Sequence, residues 1–247
     1  MDSVDDDTRA AWAVASRKYT DEYDEHLEQA RTARLLPAEV AAIGELVRGA
    51  DVVHPMSGHG LDDVALARLG ARSVHGLDYS PAPVESAQRR ADELGLPCRY
   101  TRATLPDSGL DDACADLVYT GKGALIWVAD LPAFLAEVRR LLRPGGRFYV
   151  YEAHPLVPLW AWDADELRVR PDRGYFEASH VNDTFPGHGA VERQRTLAET
   201  VMDCLRAGFE IEHLEEHPDP FWRPDGIDAA AWDGRVPNAF SLLARRA

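Results

Sequence analysis

The chain has 247 residues, of which 45% are apolar and 28% charged, enough for one α/β domain with a sizeable core. Its formal net charge of −15 argues against a nucleic-acid partner, because phosphates are held by clustered Lys and Arg, and Lys18 and Lys122 are the only lysines. No stretch reaches the roughly 20 apolar residues of a membrane span. The acidic start lacks a signal-peptide pattern, and Cys98, Cys114 and Cys204 show no metal or redox spacing, so no membrane partner, no metal and a reducing cytoplasm are expected.

Residues 1–7 are expected to fray. From Thr8 a helical pattern begins, with Trp12, Tyr19 and Tyr23 spaced to share one face. Leu35-Leu36-Pro37 breaks it, and a helix is expected over 38–48. The short apolar run Asp51-Val52-Val53-His54 reads as a buried strand that stops at the turn Ser57-Gly58-His59-Gly60. A helix follows, with Leu61, Val64, Ala65 and Leu69 on one face and Gly70 as its stop. A second strand, 73–77, ends in Asp78; Ser80 then caps a helix with Pro81 and Pro83 in its first turn. Strands are expected at 98–101, 115–119 and 147–152, with a helix over 131–142 before the last. From 155 to 189 the pattern breaks into prolines, Trp160, Trp162, Tyr175, His180 and His188, too aromatic for a disordered linker and long enough to be a structured insertion. A helix over 190–207, a strand at 209–214, a loop at 217–237 returning toward the carboxyl end of the sheet, and a strand at 238–245 close the chain. There is no internal repeat and no second core.

Strand, glycine turn, helix, strand, acid is the order in which a nucleotide-like ligand is held at the carboxyl ends of parallel strands. Gly58 and Asp78 are 20 positions apart, the spacing at which such an acid meets ribose hydroxyls. The segments Val52–Gly60 and Gly76-Leu77-Asp78-Tyr79-Ser80 resemble the first two motifs of the class I S-adenosylmethionine-dependent methyltransferases. Ala115-Asp116-Leu117-Val118-Tyr119-Thr120 is similar to that family's fourth strand, and Leu141-Leu142-Arg143-Pro144-Gly145-Gly146 to its turn into the fifth. The resemblance is strongest over 45–155. There is one departure: His54 stands where the family usually has an acid that helps hold the cofactor's amino-acid part, and Met56 where it has glycine.

The resemblance implies a single doubly wound α/β domain over 1–247, with a mostly parallel seven-stranded sheet and helices on both faces. It also implies an N-terminal helical lid over 1–36 and an insertion over 155–189 that covers the substrate. It implies S-adenosylmethionine as cofactor, held by Tyr19 from the lid, by His54, Ser57, Gly58, His59 and Gly60, by Asp78 and Tyr79, by Ala103, Thr104 and Leu105 where adenine is contacted, and by Thr120 and Gly121 beside the reacting methyl group. The partner is then a small-molecule acceptor, and the chain a monomer or homodimer.

Methyl transfer is an in-line displacement in which the protein mainly orients the nucleophile and excludes water. An oxygen nucleophile calls for a base, and histidine titrates in the right range. His154, at the end of the fifth strand, is the first candidate, and His180 and Asp183, in the insertion, are the second. Asp62 and Asp63 suit the start of a helix rather than a metal. Two other readings compete. The altered first motif suits a methyltransferase-like protein that binds the cofactor or another ligand without transfer, as a cyclase, isomerase or regulatory module. A nicotinamide-dependent oxidoreductase is disfavoured by Asp63 at the third glycine position of G-x-G-x-x-G.

Overall fold

The computed structural model describes residues 3–187, 189–223 and 227–247, and the side chains from residue 7 onward; Met1, Asp2, His188 and residues 224–226 lie outside it. The first helical stretch is three helices rather than one: α1 (Ser3–Ala15), α2 (Lys18–Asp21) and α3 (Tyr23–Thr32). The expectation that residues 3–7 fray is corrected, since α1 begins at Ser3. α4 (Pro37–Val47) has Pro37 at its first position, and Glu39 reaches back to accept from the Leu36 N–H at 2.8 Å.

The central run follows the sequence closely. β1 (Asp51–Pro55), α5 (Leu61–Leu69), β2 (Ser73–Asp78), α6 (Pro81–Leu94), β3 (Cys98–Arg102), β4 (Ala115–Gly121), α7 (Leu131–Leu141) and β5 (Leu142–Ala153) alternate as βα units. β5 starts five residues earlier than expected. Ala115 pairs with Leu142 and Leu117 already with Arg147, so the Pro-Gly-Gly turn is accommodated inside the strand as a bulge.

A larger correction falls on residues 190–207. Val191–Arg193 is not helical but a strand, β7, paired antiparallel with β6 (Ser179–Val181). The helix, α8 (Leu197–Arg206), starts only after Thr196, whose hydroxyl accepts from the Glu199 N–H at 3.1 Å while Glu199 accepts from the Thr196 N–H at 2.8 Å. This capping box fixes where the helix begins. β8 (Phe209–His217) and β9 (Ala239–Arg246) complete the main sheet.

The main sheet has the order β3-β2-β1-β4-β5-β9-β8. β1 to β5 run parallel, and β9 is antiparallel to both its neighbours. Numbering its seven strands along the chain gives 3-2-1-4-5-7-6, the sheet order of the class I methyltransferase fold. Adjacent residues on each strand feed opposite cores, as a pleat requires. Val53, Val118, Phe148 and Val150 pack with α7 and α8 on one face. Val52, Leu117, Tyr119 and Tyr149 pack with α4, α5 and α6 on the other. The two described ends of the loop 217–237 lie at the carboxyl edge, where the Asn238 amide donates to the carbonyls of Pro218, Ala231 and Val236. No helix among the described residues is long and apolar enough to cross a membrane.

Candidate active site at the carboxyl edge of the sheet

β1 leaves the sheet through a turn with three left-handed residues: Met56 (φ +56°), Gly58 (φ +53°) and Gly60 (φ +74°). Methionine thus adopts the backbone conformation natural to a glycine, at a cost of about 1 kcal/mol or more, and its side chain packs onto the sheet core. Ser57 N–H donates to Leu77 O at 2.9 Å, tying the turn to β2. Asp78, at the end of β2, accepts from Gly58 N–H at 3.1 Å and from Ser80 N–H at 2.8 Å. Burial pushes the Asp78 carboxyl up, against the pull of those donors. A side chain at Gly58 would meet no atom within 4 Å, so the turn opens onto free space beside this carboxylate. At Gly60 it would strike the Tyr100 ring. Ser57 Oγ and Tyr79 Oη are buried without a hydrogen-bond partner among the described residues. Ala103 N–H donates to Asp78 O at 2.9 Å, Leu105 packs on the core, and Thr104 is exposed with its carbonyl bonded to Asp107 N–H at 3.0 Å.

His54 does not stand alone. Its Nδ1 lies 2.6 Å from Asp63 Oδ1, with both groups buried. The ring meets Tyr119 edge-on at 4.9 Å. Tyr119 donates to Glu39 at 2.6 Å, and Lys122 bridges Glu39 at 3.0 Å and Asp62 at 2.5 Å. Burial would lower the Lys122 ammonium, but Asp62 and Glu39 hold it above its ordinary value. Asp62 and Asp63 therefore do more than favour a helix terminus. The pairing of residues nine apart across a turn leaves no periodic trace in the sequence.

The loop after β4 is shaped by Glu152, which is 2% exposed. Its carboxylate accepts from the N–H groups of Gly123 (2.6 Å), Ala124 (2.8 Å) and Leu125 (2.8 Å). Burial nevertheless keeps this carboxyl above its usual range. Thr120 is buried, its hydroxyl donating to Pro55 O at 3.1 Å, and Gly121 (φ +153°) leaves no room for a Cβ against the Tyr151 carbonyl.

The two histidines expected to act as base differ. His154 Nδ1 accepts from Leu156 N–H at 3.2 Å, which places the ring hydrogen on Nε2. Nε2 lies 2.8 Å from Glu216 but is poorly aligned for a hydrogen bond. The lone pair of His154 is thus already used, and burial lowers its basicity although Glu216 works the other way. His180 stands directly across from Glu192 in the β6–β7 pair, Nε2 to Oε2 3.0 Å, leaving Nδ1 free to accept. β7 packs against the 3-10 turn Leu125–Trp127 that follows β4. Glu192 lies in the stretch read as helix, which is why this pair was not visible in the sequence.

The edge is covered. Tyr19, buried on α2, packs on His59 of the turn at 5.0 Å and near His26 at 5.4 Å. Burial, with Asp78 assisting, pushes the Tyr19 phenol up to about 12, and burial pushes His59 down to about 3. The His59 carbonyl accepts from the buried Arg90 at 2.5 Å. Tyr23 turns away: its hydroxyl donates to Glu93 at 2.9 Å and Arg89 covers its ring at 3.8 Å. Trp12 of α1 meets Trp127 at 5.4 Å and Phe185 of the insertion at 4.9 Å. Among the described residues there is no cluster of three or more His, Cys, Asp or Glu able to hold a metal.

Comparison with known proteins agrees with the fold. Residues 55–150 match the methyltransferase domain family. A malonyl-[acyl-carrier protein] O-methyltransferase of Halorhodospira halophila is 29% identical over 205 residues, 72% of this chain and 66% of that protein. A dimethylglycine N-methyltransferase of Parasynechococcus marenigrum is 35% identical over 105 residues, 42% of this chain and 37% of that protein. The matches span 37% to 66% of the length of these curated relatives. The crystal structure of an S-adenosylmethionine-dependent methyltransferase from Mesorhizobium loti superposes with a TM-score of 0.65 at 27% identity, covering 85% of this chain and 98% of that one. Residues 55–150 thus belong to the methyltransferase domain family, and the sheet order, glycine turn and acid of the chain are those of the class I S-adenosylmethionine-dependent methyltransferases.

Proposed function

We propose that the chain transfers a methyl group from S-adenosylmethionine to an oxygen or nitrogen of a small organic molecule. The observation that carries this is the Asp78 carboxylate, 3.1 Å from Gly58 N–H at the carboxyl ends of β2 and β1. After its two backbone bonds it keeps acceptor capacity for ribose hydroxyls. The free space at Gly58 lets a ligand approach the backbone closely. In this reading these residues hold the cofactor, with Ala103, Thr104 and Leu105 at adenine and Tyr19 and His59 as cover. When bound, the cofactor supplies an electrophilic methyl group on a good leaving group.

The chain then has to hold the acceptor and keep water out. The Thr120–Gly123 loop, fixed by Glu152, borders the reacting side. The contact of Trp12 with Trp127 and Phe185 joins the lid to the insertion above that loop. An amine acceptor needs only to be unprotonated. For a hydroxyl acceptor the base is His180, oriented by Glu192. The O- and N-methyltransferases among the relatives support both acceptor atoms. A monomer or homodimer in a reducing cytoplasm completes the reading.

Incubation with methyl-labelled S-adenosylmethionine and a panel of phenols, carboxylic acids and amines tests it. Label in any acceptor, with release of S-adenosylhomocysteine, is the expected result. Tight cofactor binding with no acceptor methylated across the panel would favour a protein that binds without transfer. The altered residues His54 and Met56 favour that second reading, but the left-handed backbone at Met56 preserves the shape of the turn.

A further inference from the structure

We propose that the groove between α4 and α5 is a second binding site, for a carboxylate carried on an aliphatic tail (a free fatty acid), with Arg34 and Arg68 gripping its head. The groove measures about 730 Å³, a size suited to a small ligand. Leu35, Pro37, Val40 and Ala41 line it from the α3–α4 connection and the start of α4, and Ala65 and Leu69 from α5. Val40 is 42% exposed, whereas Ile43 and Val47 on the same helix are wholly buried in the core. An aliphatic tail laid in the groove takes this apolar wall out of water. None of the lining residues belongs to the glycine turn or to a strand end, so the site stands apart from the cofactor reading.

The two arginines set the head group. Arg34 Nη1 donates to the carbonyls of Thr32 at 3.2 Å and Ala33 at 2.8 Å, and Arg68 Nη1 donates to that of Ala30. Each guanidinium is thus anchored by one nitrogen to the end of α3. The other edge of each, Nε and Nη2, has no partner among the described residues. That edge is the fork that takes a carboxylate through two parallel bonds. The chain uses it so elsewhere: Arg170 grips Asp172 through Nε at 3.1 Å and Nη2 at 2.7 Å. No acidic side chain lines the groove, and Glu39 in the first turn of α4 is turned inward to Leu36 N–H, Tyr119 and Lys122. Two open forks beside an apolar trough select an anion with an apolar tail. A membrane surface fits less well, because a net charge of −15 opposes approach to anionic lipid. A protein partner fits less well too, since eight residues line the groove, fewer than the roughly 20–30 that one side of a stable interface uses.

Titration calorimetry with decanoate, decan-1-ol and acetate, all as monomers in solution, tests the site. S-adenosylhomocysteine is kept in excess so that the cofactor site is filled. The proteins are wild type, the double variant Arg34→Gln/Arg68→Gln, and Val40→Asp, which sets a negative charge in the wall at an exposed position. Wild type is expected to bind decanoate about 10-fold or more tighter than decan-1-ol or acetate. The double variant should bind decanoate no better than decan-1-ol, and Val40→Asp should weaken decanoate by a similar factor. S-adenosylhomocysteine affinity should be the same in all three proteins. Thermal melts show whether each variant is folded; if one is not, the other carries the test. Four results overturn the assignment: no decanoate binding by wild type, equal affinity for decanoate and decan-1-ol, decanoate affinity unchanged in the variants, or binding to phosphatidylglycerol vesicles with none to monomeric decanoate. Any of these would leave the methyl-transfer reading untouched.

Discussion

Asp78 and Glu152 hold their loops through carboxylates that accept from backbone N–H groups, whereas the cover above them adds ring contacts, Trp12 with Trp127 and Phe185 and Tyr19 with His59. The first kind of contact is directional and buried, so it fixes backbone position. The second is broad and tolerant of small shifts. The floor of the site is thus built for precision, while the ring contacts of the cover tolerate small shifts. The same division appears in the chain: the floor comes from 51–153, and the cover from 3–32 and 155–195.

Substitutions in the floor should be far more damaging than substitutions in the cover. Gly121→Ala is expected to be the most severe, because a Cβ would collide with the Tyr151 carbonyl at a φ of +153°. A loss of about 4 kcal/mol or failure to fold is expected in urea unfolding. Glu152→Gln replaces an acceptor with a group that also donates toward N–H groups, and should cost about 2–3 kcal/mol by the same measurement. Asp78→Ala should leave the fold intact but lower S-adenosylhomocysteine affinity by about 10- to 100-fold. The ionised form of Asp78 is the acceptor, and burial raises its carboxyl. Wild-type affinity should therefore fall on acidification starting above the ordinary Asp range near about 4, and the Asp78→Ala protein should lose that dependence.

In the cover, Trp12→Ala should cost only about 1–2 kcal/mol of stability. It should raise the acceptor KM and speed hydrogen exchange in α1 with little change in cofactor affinity. Phe176→Ser, at a residue 89% exposed, should change stability by less than about 0.5 kcal/mol. Comparable losses from Trp12→Ala and Glu152→Gln would break the contrast between floor and cover.

The floor was legible in the sequence because its signals are local. An apolar run, a glycine turn, a helix and an acid 20 positions on lie along one short stretch, and their spacing alone sets their geometry. Cover and charge network were legible only in outline. Trp12 and Phe185 meet across most of the chain, and no periodicity records such a contact. β6 and β7 have three residues each, too few for an alternating pattern, so the helix expected over 190–207 absorbed β7 and hid Glu192. His54 and Met56 marked a departure without saying what replaced it; only folding brings Asp63 to His54 and gives Met56 its left-handed backbone.

The most direct test of the central claim is titration calorimetry of the wild-type and Asp78→Ala proteins, stripped of co-purified ligand, with S-adenosylmethionine, S-adenosylhomocysteine and NADH. Binding of the two adenosyl sulfur compounds but not NADH, weakened in Asp78→Ala, is the result predicted. Binding of NADH alone, or affinities indifferent to Asp78, would contradict the assignment of the glycine turn and its acid as the cofactor site.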